Sequence, residues 1–398
     1  MSSTAAHPLS TPMHNTMASP IVQAAAWLRS ATFPSERPLI NLSQAAPTAA
    51  PTEQLRREMA RIAIEDDTAH QYGPVLGLPD LRNEIASQWN AHYHGDITSN
   101  DVAISSGCNQ AFTSVMSTLC AAGDEIILPS PWYFNHKMWA EMNNVTVAAL
   151  ETGPDLLPDL QRAAKLITPR TRAIVLVSPN NPGGAEYPAE LVTQFYALAK
   201  AHRIALVIDE TYRDFDSRTG VPHYLFQQSD WRETVVQLYS FSKAYRMMGH
   251  RIGSIVASPA RLQQVEKYLD TVTICPNQLA QKSALWAMQN LSDWVAEERL
   301  EILARREAVA KGFEGLKDKG WVLRGCGAYF AYVEHPFDMP STELVPWLLE
   351  NASLLVLPGT AFMPQGHKDA EKQLRIAFAN ADLAQISQLF DRLHQIEL

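Results

Sequence analysis

Short apolar runs recur through the first two thirds of the chain: EIIL (125–128), AIVLV (173–177), ALVI (205–208), VVQLY (235–239) and IGSIVA (252–257). Between AIVLV and ALVI lies PAELVTQFYALAKAHR, where Leu191, Val192, Phe195, Leu198 and Ala199 fall on one helical face. Pro188 suits the first turn of that helix. Strand, helix and strand over this length predict a βαβ unit, and hence a parallel sheet covered by helices on both faces. Such sheets bind ligands at the carboxyl ends of their strands, so the residues that follow each apolar run are the ones to inspect. The texture changes near Asp293. Long charged helical patterns (DWVAEERLEILARREAVAKGFEGLKDKG) lead into strand-like AYFAYV, LLVLPG and LRIAFA, which predicts a second, α+β domain. The expected organisation is a flexible tail at 1–20, a segment at 21–50 joining the small domain, a large domain at 51–290 and a small C-terminal domain at 291–398.

Composition narrows the function classes. The 398 residues carry a formal net charge of -9, which argues against nucleic acid or a membrane surface as partner, since both select basic faces. Cys108, Cys120, Cys275 and Cys326 lie far apart with no CxxC pair, so neither a zinc site nor a disulfide framework is expected. A reduced, cytoplasmic setting fits best. No apolar run reaches the roughly 18 residues that span a bilayer. The Ser/Thr/Pro/Met-rich start lacks a basic region followed by an apolar core and reads as a tail rather than a signal peptide.

The strand ends supply the candidate chemistry. After VAIS come Ser106, Gly107, Cys108 and Asn109, opening a helical run; a glycine turn at a helix N-terminus offers backbone N–H groups to an anion. After EIILPSP come Trp132 and Tyr133, and after AIVLV comes SPNNPGG with Asn181 in a tight turn. After ALVI comes Asp209, a partly buried carboxylate that needs a cationic or hydrogen-bonding partner. After VVQLY come Ser240, Ser242, Lys243 and Arg251. Singly, each has an ordinary structural reading. Together they describe a site for a phosphorylated, cationic aromatic ring held covalently through an amine, a description that pyridoxal 5'-phosphate meets.

With YGPVLGLPDLR (72–82), SGCNQA (106–111), NNPGG (180–184), DETY (209–212), SFSKAYRMMGHRIG (240–253) and LRIAFA (374–379) in this order, the chain resembles the class I/II aminotransferases. These are pyridoxal-phosphate enzymes of fold type I. The resemblance runs from about Ile40 onward and implies an α/β large domain with a mainly parallel sheet plus a smaller α+β domain. It implies that Lys243 forms the Schiff base with the coenzyme and then serves as the base. Asp209 would pair with the pyridine nitrogen, and Asn181 and Tyr212 with the phenolic oxygen. Tyr133 is expected to stack on the ring, with Trp132 as the alternative. Gly107, Cys108, Asn109, Ser240, Ser242 and Arg251 would hold the phosphate. Arg375 would grip the substrate carboxylate through two parallel hydrogen bonds. Tyr72 would reach the phosphate of a neighbouring subunit, which implies a homodimer with shared active sites. No metal is implied.

Three positions depart from the family pattern. Ala45 replaces a glycine close to the substrate carboxylate and is expected to narrow the pocket. Gly183 replaces a threonine or serine and is expected to loosen its loop, and Met363 replaces another glycine. No second arginine for a side-chain carboxylate is evident. Trp27, Tyr133, Phe362 and Met363 are candidates for an apolar pocket as well as for plain core. The leading expectation is a transaminase that moves an amino group from an L-amino acid to a 2-oxo acid by a ping-pong cycle. A C–S lyase, oxidase or synthase would use the same coenzyme and the same residues. A non-catalytic sensor of this fold would carry a DNA-binding extension, for which the residues before Ile21 are too few.

Overall fold

In the computed structural model, which describes residues 9–397, a seven-stranded sheet forms the centre of the larger part. Its strands are Val102–Ser105 (β1), Glu125–Ser130 (β2), Thr146–Glu151 (β3), Thr171–Val177 (β4), Ala205–Asp209 (β5), Val235–Ser240 (β6) and Gly253–Val256 (β7), ordered β1-β7-β6-β5-β4-β2-β3. Only β7 runs against its neighbours. The apolar runs of β4, β5 and β6 are buried along their length because helices cover both faces. One face packs on Trp89, Tyr93, Phe195 and Trp231, the other on Phe112, Trp132 and Trp139. Register pairs Val177 with Asp209 and Asp209 with Leu238, so the residues leaving these three strands emerge side by side.

The second region is an antiparallel sheet of Val322–Gly327 (β8), Phe330–Glu334 (β9), Leu357–Pro358 (β10) and Gln373–Ile376 (β11), ordered β10-β11-β9-β8. The N-terminal part of the chain contributes to it. Ile40–Asn41 pairs in parallel with Leu354–Leu355, and the Leu42 carbonyl accepts from the Ala377 N–H at 2.8 Å. This places the loop at Ser43–Ala45 beside Arg375, the third residue of β11.

Part of the stretch expected to be a flexible tail is ordered. Residues Thr11–Asn15 and Pro20–Ser30 are helical, each begun by a proline in its first turn. The Met17 N–H donates to Glu141 Oε2 at 3.1 Å, and Pro20 and Ala24 are buried. The first of these helices buries no side chain of its own, so the apolar pattern carries no trace of it. Residues 1–8 of the expected tail lie outside the described residues. Among the described residues no helix is long and apolar enough to cross a membrane.

Candidate active site

A cavity of about 410 Å³ lies where the carboxyl ends of β4, β5 and β6 meet the second region. Asn181, Asp209, Tyr212, Ser240, Ser242, Lys243, Arg251, Arg375, Cys108, Asn109, Tyr133 and Ala45 all line it. Lys243 sits on the short helix Phe241–Ala244 that leaves β6, where the Ser240 hydroxyl accepts from the Ser242 N–H at 3.3 Å. Its ammonium is pushed down to about 7, by burial first and then by the Arg375 and Arg251 charges. About half of the amine is therefore neutral near neutral pH, and its Nζ donates to the Ala45 carbonyl.

Asp209 ends β5 with its carboxyl buried. Burial pushes its pKa up, but His136, 3.4 Å away, and the Thr211 N–H, 3.0 Å away, outweigh that and hold it below the usual carboxylate range. The His136 ring is fixed by stacking on Phe112, with centroids 3.8 Å apart. His136 was not among the residues expected from the sequence. Its only signal is a place three residues beyond Tyr133, one turn into the helix Phe134–Met142.

At the opposite end the helix Cys108–Leu119 points its N-terminus into the cavity, with no acidic residue in its first turn. Gly107, the residue before it, has φ +87, and a Cβ there would fall 2.3 Å from Arg251 Nη2. Only glycine fits. Arg251 reaches the Ser242 hydroxyl at 3.5 Å and the Met248 carbonyl at 2.9 Å. Backbone N–H groups, two hydroxyls, Asn109 and a guanidinium thus surround a space suited to a phosphate dianion. The Cys108 thiol is buried and raised well above its usual pKa, chiefly by burial and then by Asp209, so it stays protonated.

Arg375 is 2% exposed yet has no carboxylate partner among the described residues. Its Nη1 donates to Asn181 Oδ1 at 3.1 Å, Nη2 donates to the Ser43 carbonyl, and Nε has no partner. Its charge lies 5.0 Å and 4.9 Å from the ring centroids of Phe330 and Phe362. Burial pulls its pKa down to about 10. A buried guanidinium supplied only with neutral acceptors is poised for an incoming carboxylate.

The structure separates several of the sequence candidates. Tyr133 lines the cavity and its hydroxyl donates to Asn109 Oδ1 at 3.2 Å; Trp132 does not line it and packs in the core. Trp27, Phe362 and Met363 pack in or against the core and leave Tyr133 as the one member of that proposed pocket on the cavity wall. Tyr72 is 82% exposed and lies in a separate surface groove with Cys275 and Gln278. Within one chain it is not brought to Lys243.

The expectation that Gly183 loosens its loop is overturned. Its N–H donates to Asn180 Oδ1 at 2.8 Å, and an added Cβ would sit 2.7 Å from Leu156 Cδ1. Across the region boundary Gly325 and Gly327 of β8 press on the carbonyls of Gly183 and Gly184, where their Cβ atoms would come within 2.3 Å and 2.2 Å. Glycines on both sides allow the backbones to touch, and that contact clamps the loop carrying Asn181.

A mainly parallel sheet that brings a buried lysine, a buried aspartate and a helix N-terminus to one cavity at its strand ends is the arrangement of a fold type I enzyme. Residues 37–393 match the model of the family Aminotransferase class I and II, and the chain belongs to that family. It is 30% identical over 331 residues to the aromatic aminotransferase ISS1 of Arabidopsis thaliana, covering 81% of this chain and 80% of that protein. It is 27% identical over 337 residues to the aspartate/prephenate aminotransferase of Thermus thermophilus, covering 82% and 83%. The structure of a single mutant of Thermus thermophilus aspartate aminotransferase matches with a TM-score of 0.86 at 25% identity, over 97% of this chain and 99% of that one.

Proposed function

We propose that the cavity binds pyridoxal 5'-phosphate on Lys243 and moves an amino group from an L-amino acid to a 2-oxo acid in two half-reactions. The observation that carries this is the pairing, in one cavity, of a buried lysine lowered to about 7 with a buried arginine that lacks an anion. The coenzyme supplies an electron sink for the electrons released at the substrate Cα. Asp209, kept ionised by His136 and Thr211, would hold a proton on the ring nitrogen. Asn181 and Tyr212 would hydrogen-bond the ring oxygen, Tyr133 would cover the ring face, and the Gly107–Asn109 turn with Ser240, Ser242 and Arg251 would hold the phosphate. Arg375 orients the substrate carboxylate, and the free Lys243 Nζ carries the proton away from Cα.

We read Tyr72 as serving the site of a second copy. The support is its exposure together with that of Ile64, Val272 and Ile274, four large apolar or aromatic side chains at 82%, 80%, 56% and 47%. A homodimer would cover them. The free cysteines support a cytoplasmic setting.

The test uses coenzyme-loaded protein. With an amino donor alone it should complete a single turnover and stop, then resume when a 2-oxo acid is added; continuous ammonia release would indicate elimination instead. Borohydride reduction followed by peptide mass spectrometry should find the coenzyme on the Lys243 peptide, and Lys243→Ala should lose both the adduct and turnover. Turnover retained by Lys243→Ala would rule out the mechanism.

A further inference from the structure

Part of the cavity wall is left over once the coenzyme and the α-carboxylate are placed. It includes Ser19, Ile21, Gln44, Phe134 and Asn135. None carries a charge. Among the described residues the cations that line the cavity are Lys243, Arg251 and Arg375, and each already has a task. Lys137, one turn along from Phe134, is paired with Glu141. Within one chain, a donor with a second carboxylate would place it there without a cation, which is unfavourable. The one positive feature is the start of the helix Pro20–Ser30, a partial charge weaker than a guanidinium.

Ile21 is firmly placed. It packs against the core of the second region, while Met17, four residues earlier, is tied to Glu141 on the larger region. Resting on the transaminase reading above, we infer that the amino donor carries an uncharged, apolar side chain and that Ile21 is the residue selecting it. The segment before and into this helix thus forms a specificity wall.

The experiment compares kcat/KM for phenylalanine, methionine, leucine, alanine, aspartate and glutamate, using the coenzyme-loaded full chain. Calorimetry with the unreactive acids 3-phenylpropanoate and succinate supplies a second readout. The larger neutral donors should exceed the dicarboxylic ones by at least about tenfold, and 3-phenylpropanoate should bind more tightly than succinate. Ile21→Ala should lower kcat/KM for phenylalanine, methionine and leucine by roughly tenfold, with alanine changed by less than about threefold. Ile21→Val should restore most of the loss, and matched melting temperatures should show that the variants fold.

Aspartate or glutamate equal to or better than the neutral donors would overturn the inference and leave the transaminase reading intact; an arginine lent by a second copy would give that result. An equal loss for every donor in Ile21→Ala would overturn the role of Ile21. If no donor reacts, the transaminase reading fails, and the two unreactive acids still decide the preference.

Discussion

Two carboxylates and two arginines meet at the end of β5, and the sheet divides them. Asp209 faces the cavity, where His136 and Thr211 leave it room for one more partner. Glu210, its neighbour in sequence, faces the other side, as alternation along a strand requires. There it accepts from the Tyr93 hydroxyl and the Gln237 amide, both at 2.6 Å, and lies 3.3 Å from His223. Arg213 repeats the contrast with Arg375. It donates to Tyr93 at 3.1 Å and lies 3.5 Å from the Trp89 ring centroid. Burial pulls its pKa down, but Tyr93, Asp214, Tyr239 and Glu210 together raise it above the ordinary range, whereas Arg375 falls to about 10. On one side of the strand each charge faces an opposite one, Arg213 against Asp214 and Glu210 beside His223, although Arg213 Nε has no hydrogen-bond partner. The other keeps its charges short of partners, and that deficit is what a ligand can fill.

The contrast is broken most directly by removing one charge from each side. Asp209→Asn should cost roughly a thousandfold in kcat, because a buried ionic contact to the reacting ring is lost in the transition state. Its melting temperature should move little. Glu210→Gln should do the reverse: about 3 kcal/mol of destabilisation, read by denaturant unfolding, with kcat of the folded fraction within about threefold of the parent. Equal kinetic effects from the two would mean that the Glu210 network is part of the catalytic machinery.

Arg375→Lys sharpens the same comparison. The ammonium keeps the charge and loses the fork, so kcat/KM should fall by about a hundredfold, mostly through KM, with the fold retained. Lys243 adds a test in the coenzyme-free protein. Its folded pKa of about 7 lies below the ordinary lysine value of 10.5. Between those values the unfolded chain holds a proton that the folded chain lacks, so stability rises with pH, by up to about 1.4 kcal/mol per unit. The gain is complete above 10.5 and is lost as pH falls towards 7. In Lys243→Met, melting temperatures across pH 7 to 9 should lack this contribution.

The elements that the sequence displayed best are those whose environment is uniform. The runs in β4, β5 and β6 are buried on both faces, so they read as continuous apolar stretches, and the residues ending them fall in register at the cavity. Side chains that act through distant partners left no such trace. His136 meets Asp209 only after the chain has passed through two further strands, β3 and β4, and entered β5. Ser19 reaches the cavity from a segment whose composition suggested a tail, and Ile21 from the residue just beyond it. Nor does local sequence show that Arg375 lacks a carboxylate, since that depends on everything folded around it.

Gly183 is the sharpest case, because a local reading and the packed structure make opposite predictions. As a loose turn residue, it should tolerate alanine and even gain from it, since glycine costs chain entropy. In the structure an alanine methyl would press on Leu156 at 2.7 Å, in a loop already in backbone contact with Gly325. Gly183→Ala should therefore destabilise by about 1–3 kcal/mol, the range for overpacking a filled site. Because the same loop carries Asn181, whose Oδ1 accepts from Arg375, the displacement should also raise KM for the amino donor by a few fold with kcat nearly unchanged. A parallel Leu156→Ala, Gly183→Ala double variant should recover most of that KM increase if the methyl acts through Leu156. A Gly183→Ala protein as stable as the parent, with an unaltered KM, would show the loop to be loose after all, and Asn181 to be positioned by Arg375 alone.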